Sequence, residues 1–181
     1  MTTGVLALQG GFARHIEMLK ALGVETLEVR SPEDLGRCGA LIIPGGESTA
    51  MKRQIRFAGM EEPLKTFISQ NPVFGTCAGL ILLSDYGFMN IQVERNAYGR
   101  QSESFSQMLE VKFPSEKKKQ INGIFIRAPR IMEHSPDVEV FSAIGDHPVF
   151  VRQGQLLAAS FHPELSSDTS IHEYFIKNFQ L

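Results

Sequence analysis

Two short stretches hold the residue types from which an acyl-transfer site could be built. In Gly75-Thr76-Cys77-Ala78-Gly79 a single cysteine stands among small residues. It follows an apolar run with β character, Val73-Phe74, and precedes the helix formers Leu80-Ile81-Leu82-Leu83. Residues 72–83 therefore predict a buried strand, a tight turn and a buried helix, with Cys77 at the turn. The pattern G-x-C-x-G is the sulfur version of the nucleophile elbow, a turn so sharp that neighbouring side chains must be small. It presents the sulfur at a helix N-terminus, where unpaired N–H groups and the positive end of the dipole favour a thiolate. The Ala78 N–H would face an oxyanion formed by attack on a carbonyl. A lone cysteine in an apolar stretch is also commonly a small buried hydrophobe, so the elbow needs a base to act. Phe161-His162-Pro163-Glu164-Leu165 offers one. Pro163 biases His162 towards an extended conformation, and residues two apart in an extended segment share a side. Glu164 is then expected beside the imidazole, fixing its tautomer and stabilising the imidazolium. Alone, this segment reads equally as a surface loop; with the elbow, it completes a set of nucleophile, base and orienter.

The elements that must position these groups are legible from periodicity. Residues 4–9 read as a buried strand ending in the turn Gln9-Gly10-Gly11. Phe12, Ile16, Leu19 and Leu22 follow at helical spacing, and Gly23 ends that helix. Residues 26–29 form a second strand, and 32–35 a short turn or helical piece. The continuous apolar run Ala40-Leu41-Ile42-Ile43 is that of a parallel strand covered on both faces. It stops at Pro44-Gly45-Gly46-Glu47-Ser48-Thr49, from which a helix departs to about Phe57 with Ser48 or Thr49 as its cap. A further helix over 61–69 leads to the strand before Cys77. Strand and helix alternate through this half, which predicts an α/β three-layer sandwich around a mixed, mostly parallel sheet.

The second half changes character. Residues 91–94, 109–113, 124–126, 138–141, 149–151 and 156–159 read as short strands, the last two joined by the turn Arg152-Gln153-Gly154-Gln155. They are expected as antiparallel strands at one edge of the sheet. Glu116-Lys117-Lys118-Lys119 reads as a solvated loop. A terminal helix carries Ile171, Tyr174, Phe175 and Phe179 on one face, with Ser170 and Glu173 as a capping box.

Composition narrows the class. The chain has 181 residues, 43% of them hydrophobic, and a net charge of −2. That is enough for one domain over residues 1–181 with a substantial core, and too little charge for a nucleic-acid or membrane field. The N-terminus has neither the basic nor the long apolar region of a signal peptide, and no apolar run nears the roughly 20 residues that span a bilayer. A soluble cytoplasmic protein is expected. Of two cysteines, Cys38 reads as packing. His15, His134, His147 and His172 are dispersed without ligand spacing, so neither a metal nor a cofactor is expected.

The elbow and the Ser160-Phe161-His162-Pro163-Glu164-Leu165 segment together resemble the class I, or triad, glutamine amidotransferases, whose fold is flavodoxin-like. Within them the chain is similar to the glutaminase subunits of pyridoxal 5′-phosphate synthases. Leu8-Gln9-Gly10, the 44–49 stretch, Arg95-Asn96-Ala97-Tyr98-Gly99-Arg100-Gln101 and Phe125-Ile126-Arg127-Ala128-Pro129 carry that narrower likeness. The resemblance implies a glutaminase that makes ammonia for a separate synthase in a hetero-oligomer, in vitamin B6 biosynthesis. It implies Cys77 as nucleophile, His162 as general base and acid, and Glu164 as orienter. Gly46 and Ala78 would supply the oxyanion hole, and Gly46, Glu47, Ser48, Arg95, Ile126 and Arg127 would contact L-glutamine. An arginine suits the α-carboxylate by its fork of donors, though either arginine could instead sit in an internal ion pair with Glu94 or Glu47. Residues 84–90 are shorter than the family's usual segment, and Gly11-Phe12-Ala13-Arg14-His15 departs from its usual residues. Rival readings are the glutaminase of another pathway, a non-catalytic scaffold, and a cysteine hydrolase or redox sensor on a related fold. The 95–101 stretch argues against the first, the intact triad against the second, and the H-P-E segment against the third.

Overall fold

Apolar runs that need cover on two faces alternate with amphipathic helices, and the chain winds accordingly. The computed structural model describes residues 1–95, 104–114 and 118–179. Its first half runs β1 (Thr3–Leu6), α1 (Phe12–Ala21), β2 (Thr26–Val29), α2 (Pro32–Leu35), β3 (Ala40–Ile43), α3 (Ser48–Phe57), α4 (Glu61–Gln70), β4 (Val73–Thr76) and α5 (Ala78–Asp85). The second half adds β5 (Ile91–Glu94), β6 (Ser104–Val111), β7 (Lys119–Ile126), β8 (Arg130–His134), β9 (Glu139–Ile144), β10 (His147–Gln153) and β11 (Leu156–Ala159). A 3₁₀ turn at Pro163–Leu165 and α6 (Ser170–Asn178) follow.

Seven strands form one sheet in the order β2-β1-β3-β4-β11-β10-β9. β2, β1, β3, β4 and β11 are parallel, and β10 and β9 continue the sheet antiparallel at one edge. Side chains on successive strand residues point to opposite faces, and the two cores divide accordingly. Leu41, Ile43, Val73 and Ala158 join α3, α4 and α5 on one face. Ala40, Ile42, Phe74 and Leu157 join α1, α6, β6 and β7 on the other.

The second half departs from the edge-strand expectation. Only β9 and β10 extend the edge; β5–β8 and β6–β7 are separate two-stranded antiparallel ribbons. β11 inserts parallel to β4, because all four of its residues are buried and so need cover on both faces. β6 and β7 each leave alternate positions exposed, as one-sided ribbons do. β8 was not legible as a strand, and the turn after β10 shrinks to Gly154-Gln155, since Arg152 and Gln153 belong to the strand. The expected lysine loop is partly strand: Lys119 opens β7, Lys118 pairs with Glu110, and Glu116 and Lys117 lie outside the described residues.

Two helix caps also differ from expectation. α3 is capped by Glu47, because Ser48 is already its first helical residue. Ser170 likewise lies inside α6, whose cap position is Thr169; Thr169 Oγ1 donates to Glu173 at 2.6 Å, and the Ser170 N–H donates to Asp168 at 2.7 Å. Cys38 packs against the core, where burial raises its thiol to about 11. Among the described residues no helix is long and apolar enough to cross a membrane.

Phe74 is fully buried at the centre of the second core, edge-on to Phe150 and against Phe175. Phe74→Ala is expected to cost about 3–5 kcal/mol of stability. Phe57 is 96% exposed, so Phe57→Ala should change stability by no more than about 0.5 kcal/mol. Urea unfolding of the two variants checks the contrast.

Candidate active site

β4 ends at Thr76 and the chain turns through Cys77 at φ 48°, ψ −101°. Non-glycine residues rarely adopt positive φ, and such a conformation persists only where its surroundings hold it. Here the Cys77 N–H donates to the Ala159 carbonyl at 2.8 Å, and the Cys77 carbonyl accepts from Ile81 N–H at 3.2 Å. The turn folds the start of α5 back over the strand so closely that a Cβ on Gly75 would lie 2.7 Å from the Gly79 carbonyl carbon. A glycine is therefore required at that position. Ala78 is the first residue of α5, so its N–H has no acceptor within the helix.

β11 lies beside β4 in parallel register, and the two loops therefore leave the sheet at the same end. The His162 N–H donates to the Ile124 carbonyl at 2.8 Å, which ties the loop to β7. Its Nδ1 lies 2.7 Å from Glu164 Oε1. The expected pairing is present, but by a different route. The segment after His162 is a 3₁₀ turn rather than extended chain, because the fixed φ of Pro163 suits the first position of a helical turn. That turn, and not a pleat, brings Glu164 under the ring.

Burial opposes a charge on His162. Its interactions with the Cys77 sulfur and with the Glu164 carboxylate outweigh that burial and raise it to about 10. Burial likewise pushes the Glu164 carboxyl up, and His15 and His162 together outweigh it and hold the group below the usual carboxylate range. The imidazole lies between a sulfur and a carboxylate, and both favour its protonated form.

A cavity of about 300 Å³ opens in front of the sulfur. Gly46, Glu47, Ser48 and Thr49 line it from the β3–α3 turn, Cys77 and Ile81 from the elbow, Arg95 from the end of β5, Ile126 and Arg127 from the end of β7, and His162 from its loop. Every residue that the sequence assigned to chemistry or substrate contact lines this cavity, apart from Ala78 and Glu164, which stand directly behind it. Arg127, at φ 42°, joins Cys77 as a non-glycine residue at positive φ among the described residues, and both line the cavity. The Arg95 alternative of an internal ion pair is partly realised, with Asp85 rather than Glu94 or Glu47; Asp85 also holds Lys52. Of the 95–101 stretch, residues 96–101 lie outside the described residues.

The two glycine turns meet as expected. Gly11 N–H donates to the Gly45 carbonyl at 3.2 Å, and Gln9 Nε2 donates to the Glu47 carbonyl at 2.7 Å. A Cβ on Gly45 would run into the His162 ring and lie 3.2 Å from Cys77 Cβ. Glu47 caps α3, its carboxylate accepting from Thr49 N–H at 2.9 Å and Ala50 N–H at 2.6 Å. These bonds hold the carboxylate below its usual range.

The histidines correct the expectation that they are dispersed. His15 and His172 touch each other directly behind Glu164: His15 Nδ1 lies 2.9 Å from His172 Nε2, and His15 Nε2 lies 3.4 Å from Glu164 Oε2. The signal was available, since each is a polar residue on the buried face of an amphipathic helix, His15 beside Leu19 and His172 beside Phe175. Among the described residues no group of three or more acidic, histidine or cysteine side chains is arranged to hold a metal.

A cysteine at a strand–helix elbow, a histidine–glutamate pair in the loop after the next parallel strand and a mixed α/β sheet between helices define a class I glutamine amidotransferase. More narrowly, the chain belongs to the SNO glutamine amidotransferase family, which it matches over residues 5–181. It is 49% identical to the pyridoxal 5′-phosphate synthase subunit PdxT of Pseudothermotoga lettingae, over 98% of this chain and 95% of that one. It is 48% identical to the subunit of the same name from Thermosipho africanus, over 97% of each. A crystal structure described as a glutamine amidotransferase superposes with a TM-score of 0.91 at 44% identity, over 99% of each chain.

Because folding raises His162 above its unfolded value of about 6.5, its stabilising contribution is complete below that pH and is lost as pH rises through about 10. Cys77→Ala removes the sulfur's share. His162 should then titrate at lower pH than in the wild type, as read from its imidazole resonances in an NMR titration.

Proposed function

We propose that this chain is the glutaminase subunit of a pyridoxal 5′-phosphate synthase. It hydrolyses L-glutamine to L-glutamate and ammonia, and passes the ammonia to a separate synthase subunit in the cytoplasm. The whole of residues 1–181 acts as one glutaminase domain. The observation that carries this reading is the convergence of Cys77 and His162 on a cavity edged by two arginines and a glycine-rich turn, with Glu164 against the far side of the His162 ring.

In this reading the Cys77 thiolate attacks the side-chain amide carbon of glutamine. The N–H groups of Gly46 and Ala78 hold the oxyanion. As the C–N bond breaks, His162 gives its proton to the leaving nitrogen, and ammonia departs from a thioester. His162 then takes a proton from water, which attacks the thioester; the C–S bond breaks, and glutamate leaves. Glu164 keeps Nδ1 protonated and steadies the imidazolium through both steps. Losing one oxyanion donor costs about 3 kcal/mol in such sites, roughly two orders of magnitude in rate.

The remaining lining residues suit the amino-acid end of glutamine. Arg95 and Arg127 offer forked donors to the α-carboxylate, Ile126 an apolar wall, and Gly46, Glu47 and Ser48 a backbone that approaches closely because Gly46 carries no side chain. Both acceptors of Glu47 are already engaged, its carboxylate by the α3 cap and its carbonyl by Gln9.

Cys77→Ala should abolish glutamate release while leaving the fold nearly intact. A diazo-ketone analogue of glutamine should add one label, at Cys77; label on Cys38, or hydrolysis by the alanine variant, would overturn the assignment. The isolated chain is expected to be a poor glutaminase that is activated by docking to its synthase. Ammonia made without an acceptor is lost, and the Gly45-Gly46 turn is expected to complete the oxyanion hole when a partner covers this end. Copurification, followed by glutaminase rates and glutamine binding with and without the synthase, tests this. Full activity alone, or activation wholly through tighter glutamine binding, would count against it.

A further inference from the structure

Behind the triad lies a row of buried polar groups that the reaction as written does not use. Glu164 has two carboxylate oxygens, and His162 occupies one. The other, Oε2, faces His15 Nε2 at 3.4 Å, long for a hydrogen bond but in ion-pair range. His15 Nε2 also lies 3.3 Å from Thr76 Oγ1, and its Nδ1 lies 2.9 Å from His172 Nε2. Both imidazoles are fully buried against the edge of the Phe74 ring, and His172 Nδ1 and Glu164 Oε2 lack a close hydrogen-bond partner.

The acceptor-only character of a carboxylate decides which way this row points. Two neutral arrangements are available to the histidine pair. In one, His15 carries its proton on Nδ1 and donates to His172. Its Nε2 lone pair then faces the Glu164 oxygen, and His172 buries an N–H at Nδ1 with nothing to accept it. In the other, His172 Nε2–H donates to His15 Nδ1, and His15 Nε2–H points at Glu164 Oε2, with Thr76 as a second acceptor. Only a lone pair, at His172 Nδ1, is then left without a partner. A buried carboxylate oxygen without a donor and an orphaned N–H are the costlier defects, so the second arrangement wins. Every N–H along the row then points toward the carboxylate.

We propose that His15 is a positioning residue for the glutaminase reaction, donating to Glu164 Oε2, and that His172 sets the tautomer that lets it do so. This rests on the reading of Cys77, His162 and Glu164 as the catalytic triad. The second oxygen of Glu164 is thereby anchored to α1 and α6, so the carboxylate cannot rotate away from His162 when the imidazole changes charge. The titratable groups around Glu164 are His162 on its own loop, His15 from α1 and, one step removed, His172 from α6 and Cys77 at the elbow; its own backbone N–H also favours the anion. Burial holds both His15 and His172 below the ordinary histidine range, which agrees with a neutral pair.

The test uses the chain in complex with its synthase subunit. His15→Phe keeps a ring in the space and removes both nitrogens. Its kcat should fall about tenfold, the size of one hydrogen bond to a charged group, with the KM for glutamine within about twofold because no cavity-lining residue is touched. Without the donor the Glu164 anion loses a favourable contact, so its proton affinity rises and the acid limb of the pH profile should move up by about one unit. His15→Gln, which places an amide N–H near the former Nε2, should restore most of kcat and return the limb. His172→Phe, which removes the donor to His15, should shift the limb in the same direction by less, and His172→Gln, which keeps a donor there, should reverse that shift. Imidazole ¹⁵N shifts of the wild-type protein provide a readout independent of any variant: both His15 and His172 should be neutral and protonated at Nε2. A His15→Phe complex with wild-type kcat and an unmoved limb would overturn the proposal. So would a His15→Gln variant no better than His15→Phe, or a proton on His15 Nδ1 alone. Cys77→Ala is assayed alongside. If it stays active the triad itself is wrong, and if it is inactive while His15→Phe is normal, only the role of His15 is.

Discussion

The site depends on one turn held against its own preference. Cys77 takes a left-handed backbone that costs of order 1–3 kcal/mol for a residue with a side chain, and the sheet supplies the restraint. β4 lies between β3 and β11, so the Cys77 N–H finds the Ala159 carbonyl without searching, and α5 leaves over a strand whose Gly75 allows the close crossing. The same two neighbours of β4 deliver the rest. The loop after β3 supplies Gly45 and Gly46, and the loop after β11 supplies His162. Were the turn relaxed, the sulfur would leave the point on which both loops converge.

Much of this was legible because the strongest signals are local. Glycines around Cys77, the proline between His162 and Glu164, and unbroken apolar runs for β3 and β4 each state a backbone requirement in two to five residues. What failed to read was non-local. Nothing in Leu156-Leu157-Ala158-Ala159 says that it will lie parallel to β4 rather than hairpin outward, except that all four residues are apolar. β8 exposes Met132, Glu133 and His134, so it lacks the burial pattern that announces a strand. The role of Glu47 as a cap was hidden because Ser48 and Thr49 are better caps by type. His15 and His172 stand about 157 positions apart in the chain, and only the packing of α1 beside α6 shows that they are neighbours.

The electrostatics of the site follow from exclusion of water. A buried glutamate and a buried histidine would each be neutral alone. Placed 2.7 Å apart, each favours the charged form of the other. The Gly45 backbone closes over the ring on one side, and Ile124 anchors the loop on the other. Charge is therefore held where few groups can reorganise, the condition under which a fixed donor or acceptor is worth most. At the other end of the cavity the charged groups are more exposed, and Arg95 shares Asp85 with Lys52, which leaves that end freer to adjust to a ligand.

The insertion of β11 beside β4 has a consequence for assembly in time. The strand that leads into Cys77 keeps one edge unpaired until β11 arrives, about 80 residues later in the chain. At a synthesis rate of roughly 5–20 residues per second this is an interval of several seconds. During that interval a parallel half-sheet stands open at a strand that is fully buried in the finished fold, the kind of edge that invites wrong pairing. The residue that closes it, Ala159, also fixes the Cys77 turn, so the sheet becomes sealed and competent in one event. An incomplete chain thus both exposes the edge of β4 and lacks the acceptor that holds the Cys77 turn, so the turn is fixed only when β4 is paired on both sides.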